Sequence, residues 1–88
     1  MDSKLTEYTK NCLVCGKPNA EAHHLCFNRA NRRLSDEDKL IIPLCRVCHK
    51  EIHENGVAGA LSKMLGQAVY EQEHTRDEFR KRYGCSYL

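Results

Sequence analysis

Cys12-Leu13-Val14-Cys15 and Cys45-Arg46-Val47-Cys48 are two CxxC pairs lying far apart in one short chain. Each pair reverses the backbone tightly enough to aim two sulfurs at one ion, and two pairs complete a closed tetrahedral shell. Any fold that satisfies them must return residue 45 to the side of residue 12. Zinc bound this way contributes on the order of 10 kcal/mol to folding, comparable to the whole stability of a small domain. Cys12, Cys15, Cys45 and Cys48 are therefore read as the ligands of a structural zinc. Disulfides are the competing use, but CxxC pairing favours metal, and a redox CxxC would leave the second pair unexplained. Cys26 and Cys85 stand outside the scheme; each is simplest as a free thiol, with a bridge between them as the alternative.

The chain has 88 residues and six cysteines. That is room for one domain with a modest apolar core, the size class that leans on metals or disulfides. Met1 to Asn11 is polar and mixed in charge, so no secretory leader is expected, and no stretch is apolar and long enough to span a membrane. A cytoplasmic, reducing location follows as the expectation. A net charge of +2 permits a nucleic-acid partner without arguing for one.

The organisation expected is a polar lead-in over 1–11, zinc knuckles with a strand-and-helix core over 12–54, and further helices over 57–84. Gly16 serves the first knuckle's turn and Pro18 ends it. A strand is expected within Ala20–Leu25, a polar loop over Cys26–Asp38, and a second strand over Leu40–Leu44, the two strands forming an antiparallel ribbon. Arg46–Glu54 reads as a helix stopped by Asn55-Gly56. A second helix is expected from about Ala58 to His74, its Leu61, Met64, Leu65 and Ala68 packed on the ribbon. Thr75-Arg-Asp-Glu78 is a capping box for a third, with Phe79 and Tyr83 turned inward and Gly84 as its stop.

Histidines supply a second ligand set. His49 and His53 are spaced i, i+4, so both imidazoles leave one helical face and can share an ion. Cys48 is turned about 100° from His49, so one helix can feed two sites. In the doublet His23-His24, adjacent strand side chains diverge, and only one is well placed to bind that ion. The assignment is His23, His49 and His53 as ligands and His24 as general base, an arrangement suited to phosphodiester hydrolysis. An ion with few protein ligands keeps positions for a phosphate oxygen, and a neutral imidazole can accept a proton near pH 7. Glu21 is either a ligand or an outer partner on the same face, or a solvated strand residue, the reading preferred. Arg29, Arg32 and Arg33 either grip phosphates or form a solvated loop balanced by Asp36, Glu37 and Asp38. Arg80, Lys81 and Arg82 read as a solvated helix face.

At Cys12-Leu-Val-Cys15, Glu21-Ala-His-His24 and Ile42-Pro-Leu-Cys-Arg-Val-Cys-His-Lys-Glu-Ile-His53 the chain resembles the HNH endonuclease family, in the subtype with a four-cysteine structural zinc. The resemblance covers about half the chain. It implies a small, zinc-stabilised α+β domain built on a ββα-metal (His-Me finger) hairpin plus helix, with additional C-terminal helices. It also implies a metal-dependent DNA endonuclease: His23 as metal ligand, His24 as general base, His49 and His53 as further ligands, and one catalytic Mg²⁺, Mn²⁺, Ni²⁺ or Zn²⁺. A phage or mobile-element origin and a homodimer or larger complex would suit so compact a nuclease. One departure stands out. The family's middle motif supplies an asparagine where this chain has Leu40, with Asn28, Asn31 and Asp38 as the candidates to reach in from the loop. The alternative is therefore a catalytically weak or inactive zinc module that binds nucleic acid or a protein.

Overall fold

A computed structural model describes all 88 residues. Its element order is β1 (Glu21–His24), α1 (Asn31–Glu37), β2 (Ile41–Leu44), α2 (Arg46–Glu54), α3 (Gly56–Tyr70) and α4 (Arg76–Tyr83). The fold is α+β: one two-stranded antiparallel sheet and four helices. No helix is long and apolar enough to cross a membrane.

Ala22 pairs with Pro43 and His23 with Ile42 in the ribbon. Pro43 has no N–H to donate, but its carbonyl accepts from the Leu13 amide at 2.8 Å. That bond draws the first CxxC knuckle against the end of β2, where the second begins. Gly16 sits at φ 79°, the left-handed turn the first knuckle needs.

The expected loop over Cys26–Asp38 contains a helix, α1, and the reason is chemical. Its inward residues are polar: Asn31 and Ser35 are buried. Ser35 Oγ accepts from the Cys26 amide and donates to the Cys26 carbonyl, and Asn31 donates to the Tyr83 carbonyl. A helix held by such bonds carries no apolar periodicity.

The expectation that Leu61, Met64, Leu65 and Ala68 pack on the ribbon is overturned. All four are exposed, and the buried face of α3 is Gly59, Ser62, Gly66, Gln67 and Tyr70. A Cβ on Gly66 would stand 2.9 Å from Cys26 Sγ and 3.0 Å from Leu25 Cβ, so the helix backbone itself lies against the end of β1. Such an approach selects small residues, which periodicity reads as the outer face. α3 also starts earlier and ends earlier than expected, because Asn55 both stops α2 and caps α3, accepting from the Val57 and Ala58 amides.

α4 is as expected. Thr75 and Glu78 form the capping box, Phe79 and Tyr83 are buried, and Gly84 at φ 90° ends it. The core gathers Leu25, Leu40, Ile42, Leu44, Phe79 and Tyr83 around the ribbon. Arg82 is not merely solvated: it bonds Asp38 at 2.7 Å and Glu37 at 3.1 Å, tying α4 to α1.

Candidate metal centres and the neighbouring arginines

The four CxxC sulfurs all lie within 4.8 Å of one another. Cys15 and Cys45 Sγ are 3.5 Å apart, near the roughly 3.8 Å edge of a tetrahedral zinc with ~2.3 Å Zn–S bonds. The Cys15 amide donates to Cys12 Sγ and the Cys48 amide to Cys45 Sγ, each at 3.5 Å. These knuckle amides favour thiolates. Burial pushes the Cys12 thiol up, yet backbone N–H groups of Cys45, Cys15 and Val14 bring it down to about 6. Cys48 is pushed up to about 12 by its contact with the Cys45 sulfur, by burial and by the Cys12 and Cys15 sulfurs. The cluster could thus hold a structural metal such as zinc. Cys26 and Cys85 are free thiols, the first buried and the second exposed.

The second set is His23, His49 and His53, again within 4.8 Å. Two outside partners fix the tautomers. Ser62 has a single hydroxyl proton and donates it to the Leu25 carbonyl at 2.9 Å. Toward His23 Nε2, 2.8 Å away, it therefore accepts, so Nε2 carries the proton and the Nδ1 lone pair is left free. That Nδ1 is buried and has no hydrogen-bond partner. Burial, followed by the neighbouring His49, His53 and His24, lowers the His23 pKa to about 3, so the ring is neutral near pH 7. Glu21 Oε1 accepts from His49 Nδ1 at 3.1 Å and frees His49 Nε2. His49 Nε2 and His53 Nε2 stand 3.2 Å apart. Nitrogens ~2.1 Å from one ion are separated by roughly 3.0 to 3.4 Å across octahedral or tetrahedral edges. An orphaned buried lone pair and two convergent nitrogens fit a shared ion.

Glu21 is thus the orienting partner of a candidate ligand histidine and not simply a solvated strand residue. Its position two before His23 was the available signal. Ser62 was not foreseen; it reaches His23 from α3, and no spacing in the sequence links them.

Against His49 and His53 lies a cavity of about 160 Å³, lined also by Ala22, His24, Phe27 and Arg32. His24 therefore shares an opening with two of the candidate ligands. Its Nε2 stands 3.4 Å from Asp36 Oδ1. None of the residues expected to replace the missing asparagine reaches this opening: Asn28 and Asn31 bond the Tyr87 hydroxyl, and Asp38 holds Arg82 and Tyr83. Leu40 is fully buried in the core. Asp36, from α1, is the polar neighbour of His24.

Arg29, Arg32 and Arg33 surround an adjoining concavity with His24 and Asp36. Arg33 is engaged by Glu37 at 2.6 Å, whereas Arg29 and Arg32 are exposed and form no ion pair. Glu37 and Asp38 are taken up by Arg33 and Arg82, which leaves Asp36 as the one of the loop's three acids that lines the concavity with Arg29 and Arg32.

Residues 3–78 match a family described as a protein of unknown function, DUF968, and the chain belongs to that family. It is also 30% identical over 60 residues to the mitochondrial DNA mismatch repair protein mutS homolog of Sarcophyton glaucum, a match covering 58% of this chain and 6% of that protein. The chain thus corresponds to a small part of the relative. No solved structure matches it.

Proposed function

We propose that this member of the DUF968 family is a metal-dependent DNA endonuclease of the HNH type, built on the ββα-metal arrangement of β1, β2 and α2. The observation that carries this reading is the convergence of three imidazole nitrogens, two of them on rings that line a cavity shared with His24 and Arg32. A divalent ion there would supply Lewis-acid stabilisation of charge on the phosphate and the leaving oxygen. His23, His49 and His53 would hold it, with Ser62 and Glu21 fixing two of the rings. His24 takes the proton from the attacking water as general base, with Asp36 beside it as orienting partner. Arg29 and Arg32 hold flanking phosphates, and Arg33 assists when released from Glu37. The four cysteines hold zinc for structure, in keeping with a reducing intracellular compartment. A relative named for DNA mismatch repair agrees with a DNA partner.

Burial of Leu40, where the resemblance implies an asparagine, favours a second reading: a zinc module that binds DNA or protein without cutting. Nicking of supercoiled DNA separates the two. The wild-type chain, tested with Mg²⁺, Mn²⁺, Ni²⁺ and Zn²⁺, is expected to nick. His24→Ala is expected to lose about 10²–10⁴-fold in rate while its metal content and circular dichroism stay unchanged. Binding without cleavage under every metal selects the module.

A further inference from the structure

Beside the histidine cavity is a larger concavity of about 400 Å³, within the range of small-ligand sites (~300–1,000 Å³). Phe27 and His53 belong to both. The Phe27 ring meets His53 edge-on, with centroids 4.4 Å apart, and lies 5.5 Å from His23. Tyr87 lines the same concavity and is held at both ends. Its amide donates to Gln67 Oε1 at 2.6 Å, and its hydroxyl accepts from Asn28 and Asn31. Gln67 is fully buried, so this wall is built before any ligand arrives. Lys63 Nζ stands 4.8 Å from the Phe27 centroid and 5.7 Å from that of Tyr87, and it has no carboxylate partner. The rest of the lining includes Ile52 and the small Ala60. No acidic side chain lines it.

We propose that this concavity receives an unpaired nucleobase from the strand whose phosphate lies at the histidine site; the inference deepens the nuclease reading and rests on it. Two aromatic surfaces suit a flat, polarisable ring of any sequence. The Lys63 ammonium now stands over both rings. A base that stacks there displaces this flexible side chain, whose ammonium then suits the carbonyl and ring-nitrogen acceptors of a base edge, or the next phosphate. Cations without a carboxylate partner therefore line both neighbouring concavities, Arg29 and Arg32 the one and Lys63 the other. A base stacked inside a duplex cannot enter unless it is first unstacked, so the substrate class is single strands, flaps or locally unpaired DNA.

The test is fluorescence anisotropy on the zinc-loaded His24→Ala chain with Mg²⁺, so that no strand is cut. Three labelled ligands of equal length are compared: oligothymidylate, an abasic strand and a duplex. Oligothymidylate is expected to bind about tenfold or more tighter than the abasic strand, the scale of one base stacked on an aromatic side chain. Phe27→Leu keeps the bulk and removes the flat ring; Ala60→Phe fills the concavity from its exposed rim. Each is expected to abolish the thymidylate preference and leave abasic-strand affinity unchanged. Arg32→Ala is expected to weaken both strands alike. Equal binding of the two strands, a preference that survives both variants, or a duplex bound as tightly as oligothymidylate overturns the proposal. If wild-type chain nicks plasmid DNA but shows no base preference, the pocket assignment falls and the nuclease reading stands. If the preference is present and lost in both variants, but no metal supports cleavage, the pocket stands and the nuclease reading falls.

Discussion

A histidine becomes a ligand only when its proton is kept on the other nitrogen, and here that is decided atom by atom. Ser62 has one proton, already committed to the Leu25 carbonyl, so His23 must present Nδ1 as a bare lone pair. Glu21 does the same for His49 by accepting at Nδ1. His23 should therefore be neutral, with its proton on Nε2, throughout the neutral range. Its folded pKa, about 3, lies below the ordinary 6.5. Between those values the unfolded chain binds a proton at this position that the folded chain does not. Stability is thus fully present above about pH 6.5 and falls as pH falls toward 3, with a slope of up to ~1.4 kcal/mol per pH unit from this residue. Ring-nitrogen NMR shifts of His23 across pH 4 to 8, roughly the range in which free imidazole titrates, check the assignment. A His23 ring that titrates near 6.5, or carries its proton on Nδ1, contradicts it.

At the level of elements, α3 shows how packing distance can reverse an amphipathic reading. Its glycines let the helix axis come close to Ile52, Phe27 and the end of β1. Gly66→Ala is expected to cost about 1–3 kcal/mol in urea unfolding, because the added Cβ meets Leu25 Cβ at 3.0 Å and cannot be relieved by a flexible chain end. Leu61→Ser and Leu65→Ser, on the opposite face, are expected to change stability by no more than about 0.5 kcal/mol in the same assay. A larger loss at Leu61 than at Gly66 would mean that the helix is rolled about its axis. The periodic elements were readable from sequence: α2 matches its expected bounds, and α4 carries its cap, its inward aromatics and its glycine stop. Helix α1 was not readable, because serine and asparagine bury themselves there by bonding backbone.

Across the whole molecule, the buried set is small, 19 of 88 residues, and two of the cluster cysteines, Cys12 and Cys45, belong to it. Core and four-cysteine cluster are therefore one structure, joined by the bond from the Leu13 amide to the Pro43 carbonyl. Removing zinc with a strong chelator is expected to unfold the chain at room temperature, followed by far-ultraviolet circular dichroism, with recovery on zinc addition. Cys45→Ser should behave like the chelated protein and lose one ion per chain by metal analysis. A chelated chain that keeps a cooperative melt would show that the apolar core suffices alone.

The amino-acid order alone was enough to mark both candidate ligand sets and most of the elements that carry them. CxxC turns and the i, i+4 histidines are local geometry, settled within a few bonds of backbone. Which side chains serve those histidines and cysteines depends on contacts made only when the chain is folded. Ser62 comes to His23 from α3, Asp36 to His24 from α1, and Leu40 is taken into the core. Each of these contacts depends on how closely two backbones approach, and that distance is set by glycine and small polar residues whose packing leaves no periodic mark along the chain.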